Sequence, residues 1–148
     1  MRRLIWVLCG LILTGLGAAS AQPASDASSK LQGTWTVTRA ERDGQPAGEV
    51  VGNRLSFTGS RFEIVSKDGR RLYAGTVRLD PGQKPAALDF EHADGDLKGK
   101  AWKGIYALEG DTLKVCDNAP DLGKARPTRF EARKGSGHVM VTFTRVKL

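Results

Sequence analysis

Polar and apolar residues alternate through most of the chain after residue 30, and this period of two residues is typical of half-buried β-strands. The alternating runs are rich in Val, Thr, Phe, Tyr, Ile and Leu, and turn-forming residues bound them. Residues 45–52 have room for at most one helical turn, and no later stretch keeps a helical period. The pattern predicts nine strands, over residues 34–42, 54–58, 61–66, 71–79, 86–91, 102–109, 112–117, 128–133 and 138–146.

Short turns fix how neighbouring strands pair, because the length of a hairpin loop sets the register of its strands. A turn at Gly59-Ser60 places Phe57 opposite Phe62, and a turn at Asp68-Gly69 places Phe62 opposite Gly75. Both turns collect apolar side chains on the same face of the sheet, which is stronger evidence than the propensity of any one strand. That face holds Leu55, Phe57, Phe62, Ile64, Tyr73, Val77 and Leu79.

A third hairpin turn is predicted at Gly110-Asp111, where it pairs Leu108 with Leu113. In this register Ile105 and Cys116 point to the opposite face, so the thiol is expected outside the barrel or near its rim.

Consecutive antiparallel strands with one apolar face must bury that face, and an up-and-down barrel does so without leaving exposed sheet edges. The short loops between strands that are neighbours in sequence favour this meander over a Greek key. We therefore predict an all-β, antiparallel up-and-down barrel of about 8–10 short strands, with room for packed side chains or one small ligand.

Three residues are expected to close this barrel. Gly33 and Trp35 open the first strand, and Arg145 lies on the last strand on the same face as Val141 and Phe143. Closure brings the two strands together, and a guanidinium packs favourably on an indole ring. The alternative is that Arg145 lies beyond the end of the sheet in solvent.

These features together resemble the uncharacterised bacterial lipocalin-like domain family of small exported proteins. The resemblance implies a single-domain, exported, lipocalin-like barrel, and it implies no catalytic or binding residues because the family has no established function. Ligand binding is carried over from lipocalins by analogy with the fold alone. The segments that carry the resemblance are Leu31-Gln32-Gly33-Thr34-Trp35, Ala40-Glu41-Arg42-Asp43-Gly44, residues 104–113, Arg126-Pro127-Thr128-x-Phe130 and Gly135-Ser136-Gly137-His138-Val139.

The first 21 residues have the pattern of a signal peptide. Arg2 and Arg3 precede the apolar run Leu4–Leu16, which is too short to span a bilayer, and Ala19-Ser20-Ala21 is a cleavage site of small residues. An uncleaved anchor is the alternative. We expect export to the periplasm or the extracellular space, cleavage near Ala21 and no stable membrane insertion afterwards. Residues 22–30 would then be a flexible leader, and residues 31–148 the barrel domain.

Charge and cysteine content narrow the function classes further. The formal net charge is +7, and it becomes +5 without residues 1–21, which contain Arg2 and Arg3 and no acidic residue. This mild charge is spread along the chain, and no nucleic-acid motif accompanies it, so we expect no nucleic-acid partner. Cleavage also removes Cys9 and leaves Cys116 alone, either as a small buried side chain or paired with a second chain.

No constellation of residues predicts catalysis, a metal site or a cofactor. His92 and His138 lack the spacing of metal ligands towards Cys116 or Asp117, and His92 is placed at the start of a solvated acidic loop. Nothing near Cys116 indicates an activated thiol. We therefore predict a protein that is not an enzyme and has no metal or cofactor.

Two function classes remain. The first is an exported binding protein that holds a small hydrophobic or amphipathic molecule inside the barrel. The second is a non-catalytic structural or interaction module of the cell envelope, in which the same bulky side chains fill the core; no protein partner can be named for it. The candidate ligand-lining residues are Phe57, Phe62, Tyr73, Val77, Phe90, Tyr106 and Leu108.

Overall fold

The computed structural model describes residues 22–148, and the predicted signal peptide lies outside them. One helix, α1, is followed by nine strands and two short 3₁₀ turns at Gly48–Val50 and Gly95–Leu97. The elements are α1 (Gln22–Leu31), β1 (Gly33–Arg42), β2 (Gln45–Pro46), β3 (Arg54–Thr58), β4 (Arg61–Val65), β5 (Arg71–Asp80), β6 (Ala87–His92), β7 (Ala101–Glu109), β8 (Thr112–Asp117) and β9 (Val139–Arg145).

The strands form a closed antiparallel barrel, which confirms the predicted fold class. Each strand from β3 to β9 pairs with its neighbour in sequence, and β1 pairs with both β3 and β9. The two-residue strand β2 only extends β1 through a tight hairpin, so eight strands make up the barrel wall.

Two of the three predicted hairpins have the expected register. Phe57 pairs with Phe62 across β3 and β4, and Leu108 pairs with Leu113 across β7 and β8. The turn between β4 and β5 is longer than predicted, because Ser66 bonds to Arg70 around a three-residue loop. A bulge next to this loop restores the predicted pairing, which explains why the strands beyond it keep their expected faces.

One predicted strand is absent, because residues 128–133 have irregular backbone and form no strand. Residues 22–30, for which the sequence predicts a flexible leader, belong to helix α1. The helix ends at the buried Leu31, so it is held by a tertiary contact rather than by an apolar stripe of its own.

The two ends of the barrel differ. We call one the sealed end; it carries α1, the turns at 59–60 and 110–111, and the loop 81–86. We call the other the mouth end; it carries the loops 43–53, 66–70, 93–100 and 118–138.

Trp35 and Arg145 close the sealed end. Trp35 is fully buried, its Nε1–H donates to the Leu31 carbonyl at 2.8 Å, and the Arg145 guanidinium carbon lies 4.2 Å from the centroid of the indole ring. Arg145 also donates to the carbonyls of Gln32 and Lys30. The last strand thus holds the chain that leads from α1 into β1.

Residues 118–138, which we call the cover segment, bury part of the outer surface of the barrel. Cys116 points outward as predicted, but it is buried under this segment and its Sγ–H donates to the Glu131 carbonyl at 3.3 Å. Arg126 fastens the segment by donating to the carbonyls of Leu88 and Gly104.

Candidate functional site

The predicted ligand-lining residues fall into two groups. Most are packed within the barrel core, and the ring centroids of Phe62 and Phe90 are only 4.9 Å apart. Tyr73 differs, because its side chain lies at the mouth end and remains 37% exposed. The buried set comprises Phe57, Phe62, Val77, Phe90 and Tyr106, and Leu108 is partly buried against it.

Aromatic rings continue from this core to the mouth end. Phe90 lies edge-on to Trp102 with centroids 6.1 Å apart, and Trp102 in turn contacts Tyr73 at 4.8 Å and His92 at 4.4 Å. Tyr73, His92 and Trp102 come from the neighbouring strands β5, β6 and β7. They form a cluster of rings at the mouth end, in which Tyr73 is partly exposed and His92 and Trp102 are buried, and we call this cluster the mouth wall.

Two ring nitrogens of the mouth wall are buried without a hydrogen-bond partner among the described residues. They are His92 Nε2 and Trp102 Nε1, on side chains that are 4% and 8% exposed. Burial of an unpaired polar group costs about 1–3 kcal/mol. Burial also lowers the pKa of His92, an effect that the nearby Asp94 opposes, so the imidazole is neutral at pH 7.

A third buried polar side chain belongs to the same end of the barrel. Asp117 follows Leu113 and Val115 in the alternation of β8, so it points inward, and it is 5% exposed. Its Oδ1 accepts a hydrogen bond from the Ala119 amide at 2.9 Å. Burial raises the pKa of the Asp117 carboxyl to about 7, since no cation offsets the loss of water.

Sequence reasoning missed His92 and Asp117 as inward-facing groups. His92 was expected in a solvated loop, but it is the last residue of β6 and is buried. The sequence does contain a signal for the inward position of His92, because this residue continues the alternation of the inward-facing Leu88 and Phe90. A polar residue at the end of an apolar alternation has the same pattern as the first residue of a loop, so the alternation alone does not extend the strand to it.

The surface pockets are weaker candidates for a binding site than the mouth wall. One such pocket, of about 560 Å³, lies outside the barrel between the strand ends near Asp80 and Ala87 and the cover segment near Arg126. Two of its charged groups already face each other, as Arg126 Nη2 lies 2.7 Å from Asp89 Oδ1. That contact is a charge pair rather than an aligned hydrogen bond, since Asp89 Oδ1 has no hydrogen-bond partner.

The thiol of Cys116 is poorly suited to nucleophilic chemistry. Burial raises the pKa of this thiol to about 11, so it is protonated at neutral pH. His138 is bonded to the Ala125 carbonyl at 2.9 Å. Among residues 22–148, no three His, Cys, Asp or Glu side chains are grouped in a way that could hold a metal ion.

Asp117 should make stability depend on pH. Its pKa is 3.8 ordinarily and about 7 in the fold, so the folded state holds this proton more tightly and stability falls as pH rises from about 4 to 7. The lowered pKa of His92 makes stability rise with pH, which opposes the effect of Asp117. The contribution of Asp117 is therefore isolated by comparing wild type with a variant at this position. We expect Asp117→Asn to gain stability relative to wild type as pH rises through this window, measured by urea unfolding. A constant difference from pH 4 to 7 would contradict the raised pKa.

No protein-family model matches this chain, and no curated protein matches it either. None of the helices in the part of the chain that the structure describes is long and apolar enough to cross a membrane.

Proposed function

We propose that this protein binds a small amphipathic molecule at the mouth end of its barrel, as an exported, non-catalytic member of the lipocalin-like family that the sequence resembles. The observation that carries the proposal is the pair of buried, unpartnered nitrogens on His92 and Trp102. A ligand with a polar group between them would remove a desolvation cost that the protein otherwise bears.

The position of Tyr73 supports access to this site. Its ring contacts both His92 and Trp102, yet it is partly exposed, so solvent reaches the edge of the mouth wall. Below the wall, the rings of Phe62 and Phe90 are packed together. A ligand would accordingly bind at the mouth end and not deep in the barrel, which narrows the set of lining residues predicted from the sequence.

The packed core also favours the second function class, a structural or interaction module with a filled interior. The two classes differ at the mouth wall. A ligand-binding protein must change the environment of Trp102 when the ligand arrives, whereas a filled module leaves it unchanged.

Nuclear magnetic resonance can read this difference directly. The chain without residues 1–21 has two tryptophans, and their indole N–H signals are assigned by Trp35→Phe and Trp102→Phe. In a titration with small aromatic alcohols and short-chain fatty acids, we expect the Trp102 signal to shift. The Trp35 signal is the internal control, because its N–H is bonded to Leu31 at the sealed end.

Native mass spectrometry of protein purified gently from an exporting host provides the matching test with natural ligands. An adduct that is lost on denaturation, together with a Trp102 shift, would support the proposal. A clean mass and a Trp102 signal that no compound moves would instead favour the filled module.

A further inference from the structure

The mouth end of the barrel contains an acid that lacks a counter-ion. Asp117 is the inward-facing side chain at the end of β8, and it pairs with Gly104 on β7. Trp102 lies two residues further along β7 and faces the same interior. Diagonal neighbours on adjacent strands lie about 7–8 Å apart, within reach of aromatic and long side chains.

Gly104 keeps the acid in this place. A Cβ on residue 104 would lie 2.7 Å from the Cys116 carbonyl oxygen and 2.8 Å from Asp117 Cβ. Any side chain there would push Asp117 away from β7. The glycine thus leaves the carboxyl close to the strand that carries Trp102.

Among residues 22–148, Asp117 is the one acid that is buried, and it has no counter-ion. Other acids with charge partners are found on the surface, such as Asp111 with Arg145 and Lys147, or Glu91 with Arg78. Within residues 22–148, no Lys, Arg or His nitrogen lies within 4.0 Å of the Asp117 carboxylate. A buried carboxylate is costly unless a cation pairs with it.

The side chains near Asp117 define which kind of cation could pair with its carboxylate. The ring of Tyr73 is 37% exposed, and an aromatic face attracts a positive charge and packs against a flat apolar body. The indole Nε1–H of Trp102 can only donate, so it requires an oxygen acceptor on the ligand. A hydrated metal ion would satisfy the acid but neither of these features.

We propose that the mouth end binds a small organic monocation, a protonated amine on a flat body that carries an oxygen acceptor, with Asp117 as its counter-ion. This inference rests on the proposed function and names its ligand class. The amine donates to the carboxylate, the body packs on Tyr73 and Trp102, and the acceptor receives the Trp102 N–H.

Two matched probes test whether binding requires a positive charge on the ligand. Tyramine and tyrosol share a phenol ring and a two-carbon chain, and they differ in having a terminal ammonium or a terminal hydroxyl. Binding to the protein, expressed as the full chain in an exporting host, is measured by isothermal titration calorimetry at pH 7. We expect tyramine to bind at least about tenfold more tightly than tyrosol.

Two variants test whether Asp117 causes the preference for tyramine over tyrosol. Asp117→Asn keeps the shape of the side chain and should bind the two probes equally. Glu109→Gln removes an exposed carboxylate at the other end of β7 and should keep the wild-type preference. Loss of preference in Glu109→Gln as well, or its retention in Asp117→Asn, would overturn the assignment of Asp117.

Wild-type results are decisive even if Asp117→Asn fails to fold. Tyrosol binding as tightly as tyramine overturns the amine inference and leaves the proposed small-molecule site in place. The same holds if tyramine does not bind while a neutral compound shifts the Trp102 N–H signal. If no compound binds or shifts that signal, the proposed function fails together with this inference.

Discussion

Trp35→Ala should lower the free energy of unfolding by about 3–5 kcal/mol, the range for truncation of a large buried aromatic side chain. The indole is fully buried, and its loss leaves a cavity at the sealed end. It also deprives the Arg145 guanidinium of its stacking surface and the Leu31 carbonyl of its donor. Urea unfolding monitored by circular dichroism gives the change.

Two related variants separate these contributions. Trp35→Phe keeps a ring under Arg145 and loses the N–H, so it should cost less than the alanine variant. Arg145→Ala removes the stacking and the bonds to Lys30 and Gln32, and we expect a smaller loss than for Trp35→Ala. A near-wild-type stability of Trp35→Ala would show that the sealed end is not part of the cooperative core.

Gly75→Ala should destabilise the barrel by about 3 kcal/mol or more, at or above the upper end of the usual cost of overpacking. A Cβ at this position would lie 1.8 Å from the Glu91 carbonyl oxygen, and backbone atoms cannot rotate away from it. Strands β5 and β6 would have to separate where Gly75 pairs with His92. The measurement is the midpoint of thermal unfolding together with urea unfolding.

Gly48→Ala is the matched control for this substitution. Gly48 has an ordinary φ, and a Cβ there would meet no atom within 4 Å. Its alanine variant should unfold within about 0.5 kcal/mol of wild type, as is usual for surface substitutions. Equal stabilities for the two variants would refute the close approach of β5 and β6.

The barrel could be predicted because its turns are short and local. Gly59-Ser60 and Gly110-Asp111 each set a register within a few residues, and alternation then placed the apolar face. The loop after Val65 is one residue longer than predicted, but a bulge compensates for it, so the predicted pairing of β4 with β5 holds beyond the bulge.

The remaining features depend on contacts between distant parts of the chain. Residues 128–133 alternate like a strand, but the cover segment is held by Arg126 and by the Cys116–Glu131 contact, neither of which leaves a sequence pattern. Helix α1 lacks an apolar stripe and was therefore missed. The mouth wall was only half recognised, because His92 and Asp117 are polar residues at inward positions of strand ends.

Barrel closure by Arg145 also bears on when the protein can fold. Arg145 and the Gln32 carbonyl that it binds are 113 residues apart along the chain. A chain made from its N-terminus therefore cannot complete the sealed end until residue 145 has been synthesised, and contacts of such high sequence separation form slowly. The edge of β1 that pairs with β9 therefore stays open until almost the whole polypeptide has been made.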